Sequence, residues 1–261
     1  MRATGLWSPG RGHGEPGVRR TAVLILAFAF ALPAAAAADH RPPRWKPAPT
    51  GSDQQYRGLD AVDKRVAWVG GSRGEVLRTT DGGDTWRDVS PPGGAGLQFR
   101  DVEAQSARRA SVMSIGNGDA SRIYTTFDGG RSWRLAFVND DPDAFYDCMD
   151  FFAGGRRGLA LSDPVDGRFR IAATFDWGRS WHVLPNRGMP PAVDGEFAFA
   201  ASGTCLVAGG ARHAWFGSGG GASRVFRSRD RGFTWKVTAA PIAPPRRAGC
   251  SRSRSAIRAT A

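Results

Sequence analysis

Four aspartates recur in one sequence setting and are the first candidates for chemistry in this chain. Each lies in an octad of the form Ser/Thr-x-Asp-x-Gly-x-Ser/Thr-Trp, at Thr79–Trp86, Thr126–Trp133, Thr174–Trp181 and Ser228–Trp235. Their carboxylates are Asp81, Asp128, Asp176 and Asp230. Glycoside hydrolysis uses two carboxylates within about 5–10 Å of each other. Aspartates placed once per repeating unit cannot converge on one substrate, so we interpret them as structural and predict no catalytic residue.

Each octad is predicted to be the turn of a β-hairpin. A strand-like run precedes it and a shorter one follows, as in Glu75–Thr79 and Thr85–Val89. The aspartate can accept hydrogen bonds from backbone N–H groups of its own turn. The octad glycine can adopt a positive φ angle at no steric cost, and the tryptophan is expected to pack the hairpin against the next sheet. The glycines and tryptophans of this structural set are Gly83, Gly130, Gly178 and Gly232, and Trp86, Trp133, Trp181 and Trp235.

Two more candidate strands precede each hairpin. In chain order they are Tyr56–Val62 and Arg65–Gly70, Phe99–Ala104 and Ala110–Ile115, Phe145–Phe151 and Gly158–Ser162, and Glu196–Ala201 and Cys205–Gly209. Four strands in about 48 residues is the size of a propeller blade. The sequence therefore predicts an all-β protein, a β-propeller with four recognisable four-stranded blades in residues 53–243.

The octads resemble Asp-box repeats, also called BNR repeats. The first blade, residues 56–86, is similar to the propeller family of the photosystem II assembly factor and its relatives in non-photosynthetic bacteria, which are often labelled oxidoreductase or glycosyl hydrolase-like. The resemblance covers roughly residues 53–242. It implies a propeller of six or seven blades, so we expect the chain to be truncated at its C-terminus. The alternative is a closed propeller of four blades.

The two ends of the chain differ in composition from the blades. Residues 1–38 combine arginines, the apolar run Thr21–Leu32 and the small residues Ala34–Ala38, which predicts a removable export signal. A retained N-terminal anchor is the alternative. We expect a Pro-rich linker at 39–52, a basic disordered or aberrant tail at 244–261, and no transmembrane segment after signal removal. The predicted location is periplasmic or extracellular.

Net charge does not favour nucleic acid as a partner. The whole chain carries +12, but residues 39–243 carry only +4, because the leader and the tail hold the rest. The sequence has no strand–GxGxxG–helix unit and no CxxC pair, so we predict no cofactor. The four histidines make no close pair. The acidic run Asn139–Asp143 could bind Ca²⁺, but we interpret it as a turn and predict no metal site.

The first strand of each propeller blade lines the central channel, and here these strands begin with aromatic and charged residues. Such residues are favoured at binding surfaces, although ordinary packing is the alternative for the aromatics. Asp163–Gly167 is expected to be a hairpin turn and, secondarily, a ligand-facing loop. Trp215-Phe216 is either an exposed patch or a strand end. The predicted binding residues are Arg57, Arg100, Asp101, Tyr146, Asp147, Asp163 and Asp166.

Cysteine placement suggests one bridge. Cys148 falls on the first predicted strand of blade three and Cys205 on the second of blade four, so in an oxidising compartment they could join adjacent blades. Cys250, in the tail, has no evident partner.

Together these features predict an exported, non-enzymatic propeller that binds another envelope or exported protein or assists its assembly. The alternative is a glycan-acting hydrolase on the same fold. A sialidase is disfavoured, because Arg170-Ile171 is followed by Ala172 rather than proline and the chain has only three tyrosines.

Overall fold

The computed structural model describes residues 45–200 and 203–241. The predicted export signal, residues 39–44 of the predicted linker, the basic tail and Cys250 therefore lie outside the described residues. Within the described ranges, no helix is long and apolar enough to cross a membrane.

The described chain forms four antiparallel sheets, which we call blades; in the first three, the strands pair in the order of the sequence. Blade one contains β1 (Tyr56–Ala61), β2 (Ala67–Gly71), β3 (Val76–Thr79) and β4 (Arg87–Asp88). Blade two contains β5 (Gln98–Ala104), β6 (Ala110–Ile115), β7 (Arg122–Thr126) and β8 (Arg134–Val138). Blade three contains β9 (Tyr146–Phe151), β10 (Gly158–Val165), β11 (Arg168–Thr174) and β12 (His182–Val183). The predicted all-β fold of four-stranded propeller blades is confirmed.

Blade four departs from the predicted strand order. It contains β13 (Glu196–Phe197), β14 (Leu206–Gly209), β15 (His213–Gly220), β16 (Arg224–Ser228) and β17 (Lys236–Ala239). Both β13 and β14 pair with β15, so together they occupy the first-strand position. The expectation that Cys205–Gly209 forms the second strand is therefore wrong. The second strand is β15, which places Trp215-Phe216 in mid-strand.

Glycines in β15 explain why Glu196–Phe197 can pair there. A Cβ atom at Gly219 would lie 2.3 Å from the Phe199 ring, and one at Gly220 would lie 2.3 Å from the Phe197 ring. The two phenylalanine rings therefore lie in space that only glycine leaves free.

In the described part of the chain, apolar side chains are buried between neighbouring blades in three separate cores. Trp68 and Val76 of blade one pack with Phe99, Val102 and Tyr124 of blade two. The second core joins blade two to blade three and contains Met113, Ile123, Tyr146 and Met149. The third joins blade three to blade four and contains Leu159, Phe169, Phe216 and Phe226. Since each sheet buries a face against its neighbour, the blades stabilise one another in series.

All four octads use the same hydrogen bonds, which supports their structural interpretation. In the second octad, Asp128 accepts hydrogen bonds from the Ser132 N–H at 2.9 Å, the Ser132 hydroxyl at 2.6 Å and the Thr126 hydroxyl at 2.9 Å. The Gly130 N–H donates to the Thr126 oxygen at 2.9 Å. The bonds from Ser132 and Thr126 lower the pKa of Asp128 to about 2. The part played by the two hydroxyls is an addition to the sequence analysis.

The octad glycine and tryptophan of blades two to four contact the preceding blade rather than the following one. Gly130 has φ of 82°, and a Cβ atom there would lie 2.5 Å from Cβ of Val89 in blade one. Trp133 donates from Nε1 to the Val89 carbonyl at 2.7 Å, and its ring lies edge-on to Trp68 at 6.3 Å. Trp181 and Trp235 lie in the cores shared with blades two and three. The octad is therefore both a turn and an inter-blade contact.

Candidate functional site

Acidic residues occupy equivalent positions on the first strands of three blades. Each of them is the second-last residue of its strand: Asp60 on β1, Glu103 on β5 and Asp150 on β9. Strands β1, β5 and β9 lie side by side at the inner edge of the blade series. Asp101, two residues before Glu103, joins the group, so four carboxyl groups influence one another electrostatically.

Three of these carboxylates join one blade to the next. Oδ2 of Asp60 accepts a hydrogen bond from the Ala104 N–H at 2.6 Å. Asp101 accepts from the Met149 N–H at 2.5 Å, and Asp150 accepts from the Ala208 N–H at 2.6 Å. A buried backbone N–H needs a partner, so these bonds support the junctions between successive blades.

Asp101 was predicted to bind a partner, and the structure corrects this. Its side chain is only 2% exposed, and a Cβ atom at Gly203 would lie 2.4 Å from its Oδ1 atom. The carboxyl group is therefore enclosed between the Met149 N–H and the Gly203 backbone. A partner cannot reach it without opening the blade junction.

Burial determines the protonation of these four carboxyl groups, which we call the inner carboxyl cluster. Desolvation raises the pKa of Asp60, Asp101 and Asp150 above the ordinary aspartate value. It raises the pKa of Glu103 to about 10, with a further contribution from Asp101, Asp150 and Asp60. The Glu103 carboxyl group forms no hydrogen bond with any residue in the described part of the chain. We infer that Glu103 is protonated at neutral pH.

Two further predicted binding residues are buried. Tyr146 is fully buried in the core between blades two and three, with its ring edge-on to Phe137 at 5.0 Å. Asp147 is 2% exposed, and burial, followed by the nearby Asp163 charge, raises its pKa to about 8. Oδ2 of Asp147 has no hydrogen-bond partner among the described residues. Tyr146 thus contributes to packing, and Asp147 lies behind Asp163 rather than at the surface.

A pocket of about 490 Å³ lies between blades three and four. Three side-chain carboxylates that line it come from separate segments: Asp143 from the loop before β9, Asp163 from β10 and Asp194 from the turn before β13. Phe145 and Phe197 provide aromatic surface, and Phe197 is 41% exposed. Asp163 is fixed by accepting a hydrogen bond from the Ala198 N–H at 2.7 Å.

The ionisable side chains that line the pocket are all acidic. Its fourth acid, Glu196, is neutralised by Arg224, whose Nε lies 2.8 Å from Oε1 and whose Nη2 forms an ion pair with Oε2. No ion pair within the described residues neutralises Asp143, Asp163 or Asp194. Carboxylates beside exposed aromatic rings favour a cationic group, through charge attraction and contact with the ring faces.

The remaining predicted residues lie in two places. Asp166 and Gly167 have φ of 51° and 72° and form the tip of the β10–β11 hairpin, as the sequence suggested, with Gly167 lining the pocket. Arg57 is exposed on β1. Arg100 donates to the Ala200 carbonyl and to Gln98, each at 3.1 Å, and burial, followed by the charge of Arg57, lowers its pKa. The arginines are therefore near each other but are not part of the pocket.

Sequence reasoning missed the pocket as a unit. It singled out Asp163 but assigned Asp143 to a solvated turn and gave Asp194 no role. The acidic run itself is held as a turn, because Asn139 Nδ2 donates to the carbonyls of Gly118, Asp141 and Ala144. Asp141 also pairs with Arg170 at 2.7 Å. In residues 45–200 and 203–241, no group of three or more acidic, histidine or cysteine residues could hold a metal ion.

A disulfide lies beside the pocket-forming segment. Cys148 and Cys205 are bonded, with Cα atoms 6.0 Å apart and a sequence separation of 57. Cys148 is on β9, and Cys205 directly precedes β14 at the first-strand position rather than on a second strand. The bridge therefore joins blade three to the loop between β13 and β14.

Comparisons with known proteins find no matching family model and no matching curated protein. The chain is similar to the solved structure "YCF48 bound to D1 peptide", with 15% identity and a TM-score of 0.42, over 72% of this chain and 82% of that one. It is similar to YCF48 from Cyanidioschyzon merolae at 17% identity and a TM-score of 0.41, over 77% and 89% of the two chains. A GH74 enzyme of Niastella koreensis has 18% identity and a TM-score of 0.49, over 71% of this chain but 24% of that one. These likenesses assign neither a ligand nor an activity to this chain.

Proposed function

We propose that this chain is an exported Asp-box β-propeller that binds another polypeptide, as an assembly factor-like scaffold, and catalyses no reaction. The observation that carries the proposal is the acidic pocket between blades three and four. It is concave, lies on fixed strands and turns, and combines unpaired carboxylates with exposed phenylalanine. This composition is suited to a lysine or arginine side chain of a partner protein.

Rigidity of the pocket supports binding. Asp163 is held by the Ala198 N–H, and the Cys148–Cys205 bridge ties the segment after Phe197 to blade three. A preformed site loses little conformational entropy when its ligand binds.

The test is affinity capture from the exported fraction with the purified full chain as bait. A pocket variant, Phe197→Ala combined with Asp194→Asn, is expected to lose at least about nine-tenths of the captured partner. This corresponds to about 1.4 kcal/mol of binding free energy. Asp84→Asn, which removes an exposed charge from the blade-one octad, is the control and should capture normally. Equal capture by both variants would exclude the pocket as the binding site.

The glycan-acting alternative has one observation in its favour, the converging carboxyl groups of Asp60, Asp101, Glu103 and Asp150. Glycosidases need one ionised carboxylate facing the substrate. Here burial raises the pKa of all four, and three of them hold backbone N–H groups of the next blade. We expect no release of reducing sugar from a panel of polysaccharides. Activity that disappears in Glu103→Gln, while that variant keeps its melting temperature, would establish the hydrolase instead.

Export is part of the proposal and has its own test. The leader pattern places signal cleavage before Asp39. N-terminal sequencing of the protein recovered from the periplasm or medium should begin at Asp39. Recovery of the intact leader in the membrane fraction would instead support a retained anchor.

A further inference from the structure

Among residues 45–200 and 203–241, one face of blade four is open where the other blades are covered. The residue three positions before each octad is Val76, Ile123 or Ile171 in blades one to three, and these side chains are 0%, 0% and 3% exposed. They lie in the cores shared with the following blade. The equivalent Val225 on β16 is 42% exposed. The described part of the chain therefore leaves this face of blade four without a neighbouring sheet.

The open face repeats the residues that blade one presents to blade two. In blade one, Trp68 is paired across strands with Arg78, and Gly70 with Val76. In blade four, Trp215 is paired with Arg227, and Gly217 with Val225. The arginine lies over the tryptophan ring in both cases, at 5.4 Å in blade one and 5.9 Å in blade four.

Blade one shows what this set of residues binds. Trp68 donates to the Ser106 carbonyl at 3.2 Å, and Arg78 donates to the carbonyls of Ala107 and Gly129 at 2.7 and 2.9 Å. All three acceptors belong to blade two. The partner in this interface is thus an antiparallel sheet that presents backbone carbonyl groups.

A space for an apolar side chain is filled in blade one, whereas no described residue fills the equivalent space in blade four. A Cβ atom at Gly70 would lie 3.1 Å from the Val102 side chain and 3.0 Å from that of Phe99, both from blade two. A Cβ atom at Gly217 would meet nothing within 4 Å. Gly217, Trp215 and the exposed Val207 and Val225 therefore form an apolar surface with a recess.

Positive charge borders this surface. Arg227, Arg229 and Lys236 line a cavity of about 250 Å³ together with Thr234 and Thr238. None of the ion pairs in the described ranges includes these three cations. Two copies of this face would repel each other, whereas an acidic partner would be attracted.

We propose that the open face, defined by Val207, Trp215, Gly217, Val225, Arg227 and Lys236, binds an acidic β-hairpin of a partner protein that packs on it as a further blade. The hairpin inserts an apolar side chain over Gly217, presents carbonyl oxygens to Arg227 and places carboxylates beside Lys236. This surface is separate from the acidic pocket, so the inference goes beyond the proposed function and is tested with different variants.

The experiment uses the full chain and three labelled synthetic peptides of equal length. One forms a hairpin of alternating Glu with Leu and Trp, the second replaces each Glu by Lys, and the third is poly-Glu. The first peptide is expected to bind and to slow hydrogen exchange in β16 and β17. Trp215→Ala and Arg227→Glu should each weaken that binding at least tenfold. Trp215→Phe should restore most of it, and Arg65→Glu, at an exposed site on blade one, should leave it unchanged.

Several results would overturn the proposal. Failure of the first peptide to bind would do so, as would equal binding of the Lys peptide. Equally tight poly-Glu binding would show a purely electrostatic surface without a hairpin site. Sedimentation that reveals a dimer, with β16 and β17 protected before any peptide is added, would identify a second copy as the occupant.

Discussion

Replacing Cys148 and Cys205 with alanine is expected to destabilise the propeller at the junction of blades three and four. The bridge closes a segment of 57 residues. In the chain-entropy model, releasing a loop of this length costs about 4 kcal/mol of stability at 25 °C. For a body of this size, 1 kcal/mol shifts the melting temperature by about 2–4 °C, so the double variant should melt roughly 8–16 °C lower.

The assay is thermal and urea unfolding of the double variant beside the parent under oxidising conditions. Thiol titration of the unfolded parent should find one free thiol, because the chain has three cysteines, and three after reduction. Cys250→Ala is the control and should leave the melting temperature unchanged. Hydrogen exchange should increase first at β13 and β14, which the bridge holds against blade three. A double variant within about 1 kcal/mol of the parent would refute the reasoning, since the loop entropy alone predicts more.

Three further predictions concern the octads and the inner carboxyl cluster. Asp128→Ala should lower the melting temperature without affecting partner capture, because the hydrogen bonds from Ser132 are lost. Asp128→Asn keeps an acceptor oxygen and should lower the melting temperature less. An equal decrease in the two variants would contradict this. Gly130→Ala should lower the free energy of unfolding in urea by about 2 kcal/mol or more, because the φ of Gly130 is positive and the added Cβ would meet Val89. Gly96 also has φ of 82° but lies in open space, so Gly96→Ala measures the backbone strain alone and should lower the free energy of unfolding less. Since the pKa of Glu103 is raised to about 10 in the folded state, its proton stabilises the fold fully below about pH 4.3, and this contribution is lost as pH rises toward 10. The free energy of unfolding should fall over that range, and Glu103→Gln should flatten the profile; an unchanged slope would count against a protonated Glu103.

Local chemistry explains why the octads and most strands could be predicted from sequence. The aspartate, its two hydroxyl partners and the positive-φ glycine lie within eight residues, so the turn is specified by neighbours along the chain. Alternating apolar residues likewise indicated both inner strands of blades one to three. The same reasoning failed in blade four, because the pairing of Phe197 with Gly219 depends on residues 22 positions apart.

Binding residues were harder to predict, because a blade with a neighbour on each side buries both faces of its inner strand. On β9, Tyr146 and Asp147 point to opposite faces and both are buried, and Asp101 on β5 is buried as well. Asp163 reaches a pocket whose other acids, Asp143 and Asp194, come from loops 20 and 31 residues away in the chain. No sequence period marks residues that meet only when two blades pack.

The sequence by itself determined the repeating hairpin, the four-bladed series and the candidate cysteine pair, since each depends on short-range spacing or on residue type. Only the tertiary structure decided that the inner carboxylates hold the next blade and that an acidic pocket forms between blades three and four. It also decided that blade four presents the same Trp–Arg–Gly surface as blade one, with no described residue packed on it as a further sheet. These features depend on contacts between sheets, and burial between sheets sets both the protonation of the carboxyl groups and the surface left for a partner.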